Sequence, residues 1–260
     1  MDQATAGIYH APDNGLTLEP SFTLHWQMTN CERFSLQDLL RRIKPEVAVE
    51  IGTYRGGSLQ VIAHFAKRVI SVDIDPSVPE RLAGRFPNVT YRVGDSKEVL
   101  PAVIDSLNAE GANVGFFLID GDHSTKGVRR DVETVLRYRP KGPCVIIMHD
   151  SFNPACREGI RTADWAVSPH VQWVDLDFVP GIYHQHAYDT ADARSMWGGF
   201  ACAYLTPEPR THRLEVRESQ RGLFEAVKAV SAHAAPPPAA PAPPPGLACR
   251  IVRRLRALTQ

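Results

Sequence analysis

The sequence lacks a long apolar run, a basic-then-apolar opening, a paired-cysteine motif and an excess of charge of either sign. Each absence excludes something. A helix that spans a bilayer needs about 20 consecutive apolar residues, and no stretch here supplies them. The opening MDQATAGIYHAPDNG has neither the charged start nor the apolar core of a secretory signal. The 5 cysteines (Cys31, Cys144, Cys156, Cys202 and Cys249) are odd in number and form no CxxC. That argues for free thiols in a reducing compartment, with Cys144 and Cys202 inside apolar runs, and against a disulfide framework. With 29 basic against 29 acidic residues there is no electrostatic case for nucleic acid. The expectation is a soluble cytoplasmic protein with no nucleic-acid partner.

What is present is a core-forming composition, 43% hydrophobic over 260 residues, and a repeating pattern in its first 150. Short apolar runs end in acidic or glycine-rich turns: VAVEIGTYRGGS, SVDID, VGDS, LIDGDHS and IIMHDS. Helical stretches lie between them, such as SLQVIAHFAKR and TKGVRRDVETVLRYR, the latter with Val128, Val132, Val135 and Leu136 on one face. Strict strand–helix alternation predicts an α/β fold, a doubly wound parallel sheet with helices on both faces. Two later strand-like runs, residues 171–179 and 198–205, are joined by a long polar loop and predict an antiparallel edge. The expected domain runs from residue 35, where Ser35-x-x-Asp38 reads as a helix cap, to 232. Residues 1–34, with Tyr9, Phe22, Trp26 and Phe34, are expected to form a cap or lid. Residues 233–246 are a Pro/Ala-rich linker, and 247–260 a basic amphipathic segment. In that segment Leu247, Ile251, Leu255 and Leu258 oppose Arg250, Arg253, Arg254 and Arg256, a pattern suited to a membrane surface or an acidic partner, or else to a frayed tail.

Ligands of open α/β sheets bind outside the carboxyl ends of the strands, so these turns belong to one site. After the first strand the glycines fall at 52, 56 and 57, not in the GxGxxG spacing of a nicotinamide site. Glu50 at the strand end suits a ligand with a positive charge; the alternative is a tight turn that only packs a helix. Asp73 ends the second strand, where a carboxylate accepts hydrogen bonds from ribose hydroxyls, while Asp75 before Pro76 reads as a helix cap. Asp95 is placed to accept from an adenine amino group, and Ser96 either flanks it or caps the next helix.

Taken together, EIGTYRGGS, SVDID, VGDS, LIDGDHS and HDS resemble a class I S-adenosylmethionine-dependent methyltransferase over residues 45–205. The resemblance is to the metal-dependent O-methyltransferase branch, similar to cephalosporin hydroxylase-like proteins and to rhamnosyl and macrolide-sugar O-methyltransferases. It implies a Rossmann-like, mostly parallel seven-stranded sheet. It also implies that S-adenosylmethionine contacts Glu50, Gly52, Thr53, Tyr54, Gly56, Ser58, Asp73, Ile74, Asp95, Ser96 and Asp120. The chain departs from the pattern at strand five. Sugar-type relatives have Glu-Asp there and catechol-type relatives Asp-Asn, whereas this chain has His149-Asp150 followed by Ser151.

Asp120, Asp122 and His123 follow strand four, and His149 and Asp150 end strand five. Neighbouring strands bring Asp120 and Asp150 together, and two facing carboxylates either share a proton or hold a cation. A divalent ion, Mg²⁺ or a similar one, is expected on Asp120, Asp150 and His149. It would chelate two oxygens of a vicinal-hydroxyl acceptor, with His123 as the base. The alternative is structural: Asp122 caps a helix and His123 is a hydrogen-bonded bystander. His184 and His186 read as loop residues near an acceptor pocket, and Trp26, Trp165 and Trp197 as acceptor-stacking or core residues. The expected acceptor is a small molecule, a sugar of a glycan or glycolipid, or a secondary metabolite. A hydroxylase-like oxidoreductase on the same fold and a non-catalytic cofactor-binding scaffold are the other readings; oligomeric state is left open.

Overall fold

The structure, a computed structural model, describes residues 22–184 and 194–234. Residues 1–21 of the expected cap, nearly all of the Pro/Ala-rich linker at 233–246, the basic segment at 247–260, most of the polar loop, His186 and Cys249 lie outside the described residues. The helices are α1 (Asn30–Ile43), α2 (Gly57–Phe65), α3 (Val78–Arg81), α4 (Ser96–Glu110), α5 (Thr125–Val135), α6 (Pro154–Thr162) and α7 (Arg221–Val230). The strands are β1 (Val47–Ile51), β2 (Arg68–Asp73), β3 (Val89–Val93), β4 (Val114–Ile119), β5 (Cys144–His149), β6 (Val171–Val179), β7 (Ile182–Tyr183), β8 (Met196–Trp197), β9 (Phe200–Leu205) and β10 (Val216–Arg217).

Alternation along the strands splits the core into two layers. Val49, Ile51, Phe117, Ile119 and Met148 face one way, onto α4, α5 and α6 through Leu100, Ile104, Val132 and Ile160. Ala48, Phe116, Leu118 and Ile147 face the other way, onto α1 and α2 through Leu36, Leu40, Leu59 and Ile62. Fully burying each large side chain contributes about 1.5–3 kcal/mol. Because both faces are covered, β1 and β4 are buried along their whole length; β4 is an unbroken apolar run, and β1 is interrupted only by Glu50.

The sheet runs β10-β6-β9-β5-β4-β1-β2-β3. It has eight strands, one more than expected, because the short β10 adds to β6 in parallel. The antiparallel strand, β9, is not at the edge: it lies between β5 and β6 and pairs antiparallel with both. The two late runs, joined by a long polar loop, were expected to form an antiparallel edge. Instead β6 first crosses past the site that β9 then fills on its way back. β7 and β8 form a separate two-stranded ribbon.

The first helix also begins earlier than Ser35. Thr29 is its cap: its hydroxyl accepts from the Glu32 amide at 3.3 Å, and Glu32 reaches back to the Thr29 amide. Ser35 and Asp38 are interior, and Asp38 pairs instead with Arg41 and Arg42, both at 2.7 Å. Preceding residues fold back over α2. Leu24 exchanges two hydrogen bonds with the Gln60 side chain, at 2.9 and 3.1 Å, and the His25 carbonyl presses so close to Gly57 that a Cβ there would overlap it.

The late segment is fastened by one buried cation. Arg157 on α6 donates to Asp177 at 2.7 Å and to Glu218 at 2.9 Å, and its guanidinium lies 4.2 Å from the Phe224 ring centre. Cys144, Cys156 and Cys202 are buried free thiols; burial pushes all three up, Cys202 to about 12. Cys31 is free and exposed. Among the described residues no helix is long and apolar enough to cross a membrane.

Candidate active site

Chain order reverses between β1 and β4, which opens a crevice at the carboxyl ends of the strands. A cavity of about 770 Å³ sits there, its wall including Gly52, Asp73, Asp95, Asp120, His149 and Asp150.

One end is built by the turn after β1. Gly52 takes φ +88°, and a Cβ would overlap the Asp120 carbonyl, so only glycine lets the turn cross so close to β4. The turn is held by Asp73, whose Oδ2 accepts from the Thr53 and Tyr54 amides, both at 2.8 Å. Oδ1 accepts from the Asp75 amide at 2.8 Å. Tyr54 itself adopts φ 48° and stays half-exposed, with Arg55 over its ring. Ile74 is 70% exposed on the rim, an apolar surface with no protein partner to cover it.

Glu50 and Gly56, both expected contacts, are not on the cavity wall. Gly56 sits at the start of α2 against Leu82 and Leu24. Glu50 lies beneath the turn, fully buried, accepting from Ser58 at 2.5 Å and Thr53 at 2.9 Å. Burial pushes its carboxyl up to about 8 despite those two hydroxyls, with the Asp120 and Asp73 charges adding to the rise.

Asp95, expected to accept from adenine, caps α4: its Oδ1 takes the Lys97 amide at 2.9 Å, and Oδ2 lies 2.9 Å from Lys97 Nζ. Ser96 is not the cap; it donates to Asp131 on α5, its Oγ lying 2.8 and 3.0 Å from the two carboxylate oxygens. Asp131 is fully buried, and burial raises it to about 6. Asp75 and Asp122 are not helix caps either: each accepts from the backbone two residues on, at Ser77 and Ser124, and so shapes the turn that enters a helix.

The other end is a cluster of alternating charge. The imidazole of His149 lies 2.9 Å from Asp120 through Nδ1 and 3.1 Å from Glu32 through Nε2, and Nδ1 is 3.5 Å from Asp150. His123 Nε2 is 3.1 Å from Asp150 and 3.5 Å from Asp120, and its ring meets Trp197 edge-on at 5.7 Å. Asp150 takes φ 57°, a left-handed conformation uncommon for a non-glycine, and its Oδ1 accepts from the Gly198 amide at 2.6 Å. Burial would lower His149, but the Asp120, Asp150 and Glu32 charges outweigh it and hold it well above the ordinary value. Hydrogen bonds to Asp120 and then Asp150 raise His123 to about 10. Both rings are thereby pushed toward the imidazolium form. Asp120, His149 and Asp150 each offer one ligand atom, all within 4.8 Å of one another.

Residues 49–151 match the family described as a methyltransferase domain. Over those residues the chain is similar to methyltransferase domains. The fold agrees with cofactor-bound Rv0187 from MTB, at a TM-score of 0.50 and 20% identity, over 72% of this chain and 85% of that one. Also similar are an O-methyltransferase from Bacillus cereus in complex with SAH (TM-score 0.49, 17% identity, 69% of this chain and 82% of that one) and the O-methyltransferase TomG from Streptomyces achromogenes in complex with SAM (0.48, 21%, 66% and 78%). No curated protein sequence matches the chain.

The fold thus brings Asp120, His123, His149 and Asp150 to one place, as their positions at the ends of β4 and β5 imply. Trp197 and His184 line the same cavity, whereas Trp165 is buried in the core, donating to the Ile160 carbonyl at 2.8 Å. Two residues escaped the sequence reading. Glu32 was signalled by Thr29-x-x-Glu32, a capping box six residues ahead of the one chosen. Asp131 was signalled by a charge on the otherwise apolar Val128–Val132–Val135 face of α5.

Proposed function

We propose that the protein is an S-adenosylmethionine-dependent O-methyltransferase, assisted by a divalent cation, that methylates a hydroxyl of a sugar, glycan or secondary metabolite. The supporting observation is the convergence of Asp120, His149 and Asp150 within 4.8 Å, beside His123, in the crevice that also contains the Gly52–Asp73 turn. Two carboxylates fit a hard divalent ion such as Mg²⁺ with water and acceptor oxygens, and the imidazole beside them extends the donor set toward borderline divalent ions. Such an ion lowers the pKa of the hydroxyl to be methylated.

The chain's own groups do the rest. Asp73 and the Thr53–Tyr54 amides form the ribose end, with Ile74 beside the adenine. In the cation-free arrangement His123 is protonated and cannot act as base. A cation held by Asp120 and Asp150 would share the charges that raise His123, whose Nε2 would then take the acceptor's hydroxyl proton. That oxygen then attacks the methyl carbon as the carbon–sulfur bond breaks, leaving S-adenosylhomocysteine; positioning in line is the protein's main contribution.

A cation-free reading has one observation in its favour: both nitrogens of His149 already face carboxylates, so an imidazolium occupies the place of the ion. Turnover of S-adenosylmethionine on a panel of vicinal-diol sugars, with and without chelator, separates the two. Loss of turnover in chelator and in Asp150→Asn, with S-adenosylhomocysteine still bound, is expected; full activity in chelator contradicts the metal and favours the imidazolium. The basic amphipathic segment at 247–260 supports a lipid-linked acceptor or peripheral contact with a membrane. Cosedimentation of the full chain, but not of residues 1–233, with anionic vesicles is expected; equal partition contradicts it.

A further inference from the structure

Glu32 is fully buried, an unusual depth for a capping residue, whose backbone partners lie at an open helix end. Its carboxylate only accepts, and three donors converge on it. The Thr29 amide binds Oε2, while His149 Nε2, at 3.1 Å, and the Gly199 amide bind Oε1. Gly198 and Gly199 both take left-handed conformations, φ +70° and +82°, and a Cβ on Gly198 would come within 2.8 Å of Glu32 Oε1. The glycine pair before β9 therefore lets the backbone close on Glu32 from one side and, through the Gly198 amide, on Asp150 from the other. Phe200 meets the His149 ring edge-on at 5.6 Å. Burial would raise the Glu32 carboxyl, but the His149 charge and the hydrogen bonds from His149 and Thr29 keep it below its usual value, so it is ionised.

We propose that Glu32 is a positioning residue for His149: it holds the imidazole by Nε2, so that Nδ1 is turned toward Asp120 and Asp150. Because Glu32 is also half of the Thr29 capping box, this grip is tied to residues 22–29, the segment that packs over the glycine turn. The inference rests on the reading of Asp120, His149 and Asp150 as a cation site. A carboxylate on the far nitrogen of a ligating imidazole fixes ring orientation and raises ligand basicity; its removal lowers metal affinity about 10–100-fold.

Manganese is the probe, followed by electron paramagnetic resonance in the presence of S-adenosylhomocysteine, and Glu32→Gln is the variant. All three neighbours of Glu32 are donors, so a glutamine amide must face one of them with its own N–H groups. We expect Mn²⁺ affinity to fall about 10–100-fold while S-adenosylhomocysteine affinity stays within about twofold. A folded variant with unchanged Mn²⁺ affinity would overturn the proposal. Nitrogen-resolved NMR of the His149 ring gives a readout independent of metal. In the wild type, Nε2–H is expected to be protected from exchange, and Nδ1 to be the nitrogen that shifts on addition of Mg²⁺. If the wild type takes up no Mn²⁺, the metal reading fails, and exchange at Nε2–H decides the role of Glu32. Protection in the wild type that is lost in Glu32→Gln supports it, and no protection in the wild type overturns it. If the variant does not fold, that wild-type resonance decides in the same way.

Discussion

Glu50 is a fully buried carboxyl group, held by two hydroxyls beneath the turn after β1. Its value of about 8 in the folded protein, against 4.5 for the free group, means that the fold prefers it protonated. The unfolded chain releases that proton first, so stability is lost as pH rises from 4.5 through about 8. Glu50→Gln is expected to be more stable than the wild type at pH 9, on the order of a few kcal/mol, and to show no such gain at pH 4; urea melts at the two pH values check it. His123 has the same sign. Its pairing with Asp120 and Asp150 adds stability that is fully present below pH 6.5 and lost as pH rises through about 10. His123→Ala should therefore narrow the difference in melting temperature between pH 6 and pH 10. Neither shift was legible from residue order, because each is set by what packs around the group and not by its neighbours in sequence.

At the scale of elements, two fastenings decide whether the late part of the chain stays on the sheet and whether the turn after β1 forms. Arg157 is almost fully enclosed between Asp177 on β6 and Glu218 before α7. Removal of one partner of a buried pair leaves a charge uncompensated, so Asp177→Ala is expected to cost about 3–5 kcal/mol in denaturant unfolding. A cost below about 1 kcal/mol, the range of exposed pairs, would show that Glu218 alone satisfies the guanidinium. Gly52→Ala forces a Cβ onto the Asp120 carbonyl in a left-handed turn, and should lower the melting temperature and abolish cofactor binding together. The strands β1 to β6 were readable because each is a short apolar run closed by a polar turn. The start of α1 was misplaced because two cap-like motifs lie six residues apart, and only tertiary contact with His149 and Gly199 selects Thr29 and Glu32. Likewise the cap of α4 falls on Asp95 and not on Ser96: both suit a helix start, and the buried Asp131 on α5 draws the serine away from capping.

Over the whole molecule, the order of polar strand ends carries most of the information. Asp73, Asp120, His149 and Asp150 fall on the same edge of the sheet because parallel strands deliver every carboxyl end to one side. That much followed from alternation alone. The placement of β9 inside the sheet did not, since two late strands are equally compatible with either order until the glycine pair at 198–199 is seen to bind Asp150 and Glu32. The proposed division of the crevice into a cofactor end and a charged end, joined by the Glu32 segment, rests on the same geometry. The measurement that tests it most directly is calorimetric binding of S-adenosylhomocysteine to the full chain, with and without Mg²⁺, beside Asp73→Ala. Micromolar binding is expected, weakened at least tenfold when the carboxylate that holds the Thr53–Tyr54 turn, the proposed ribose contact, is removed. No binding to the wild type, or equal binding to both proteins, would contradict the assignment of this crevice to the methyl donor.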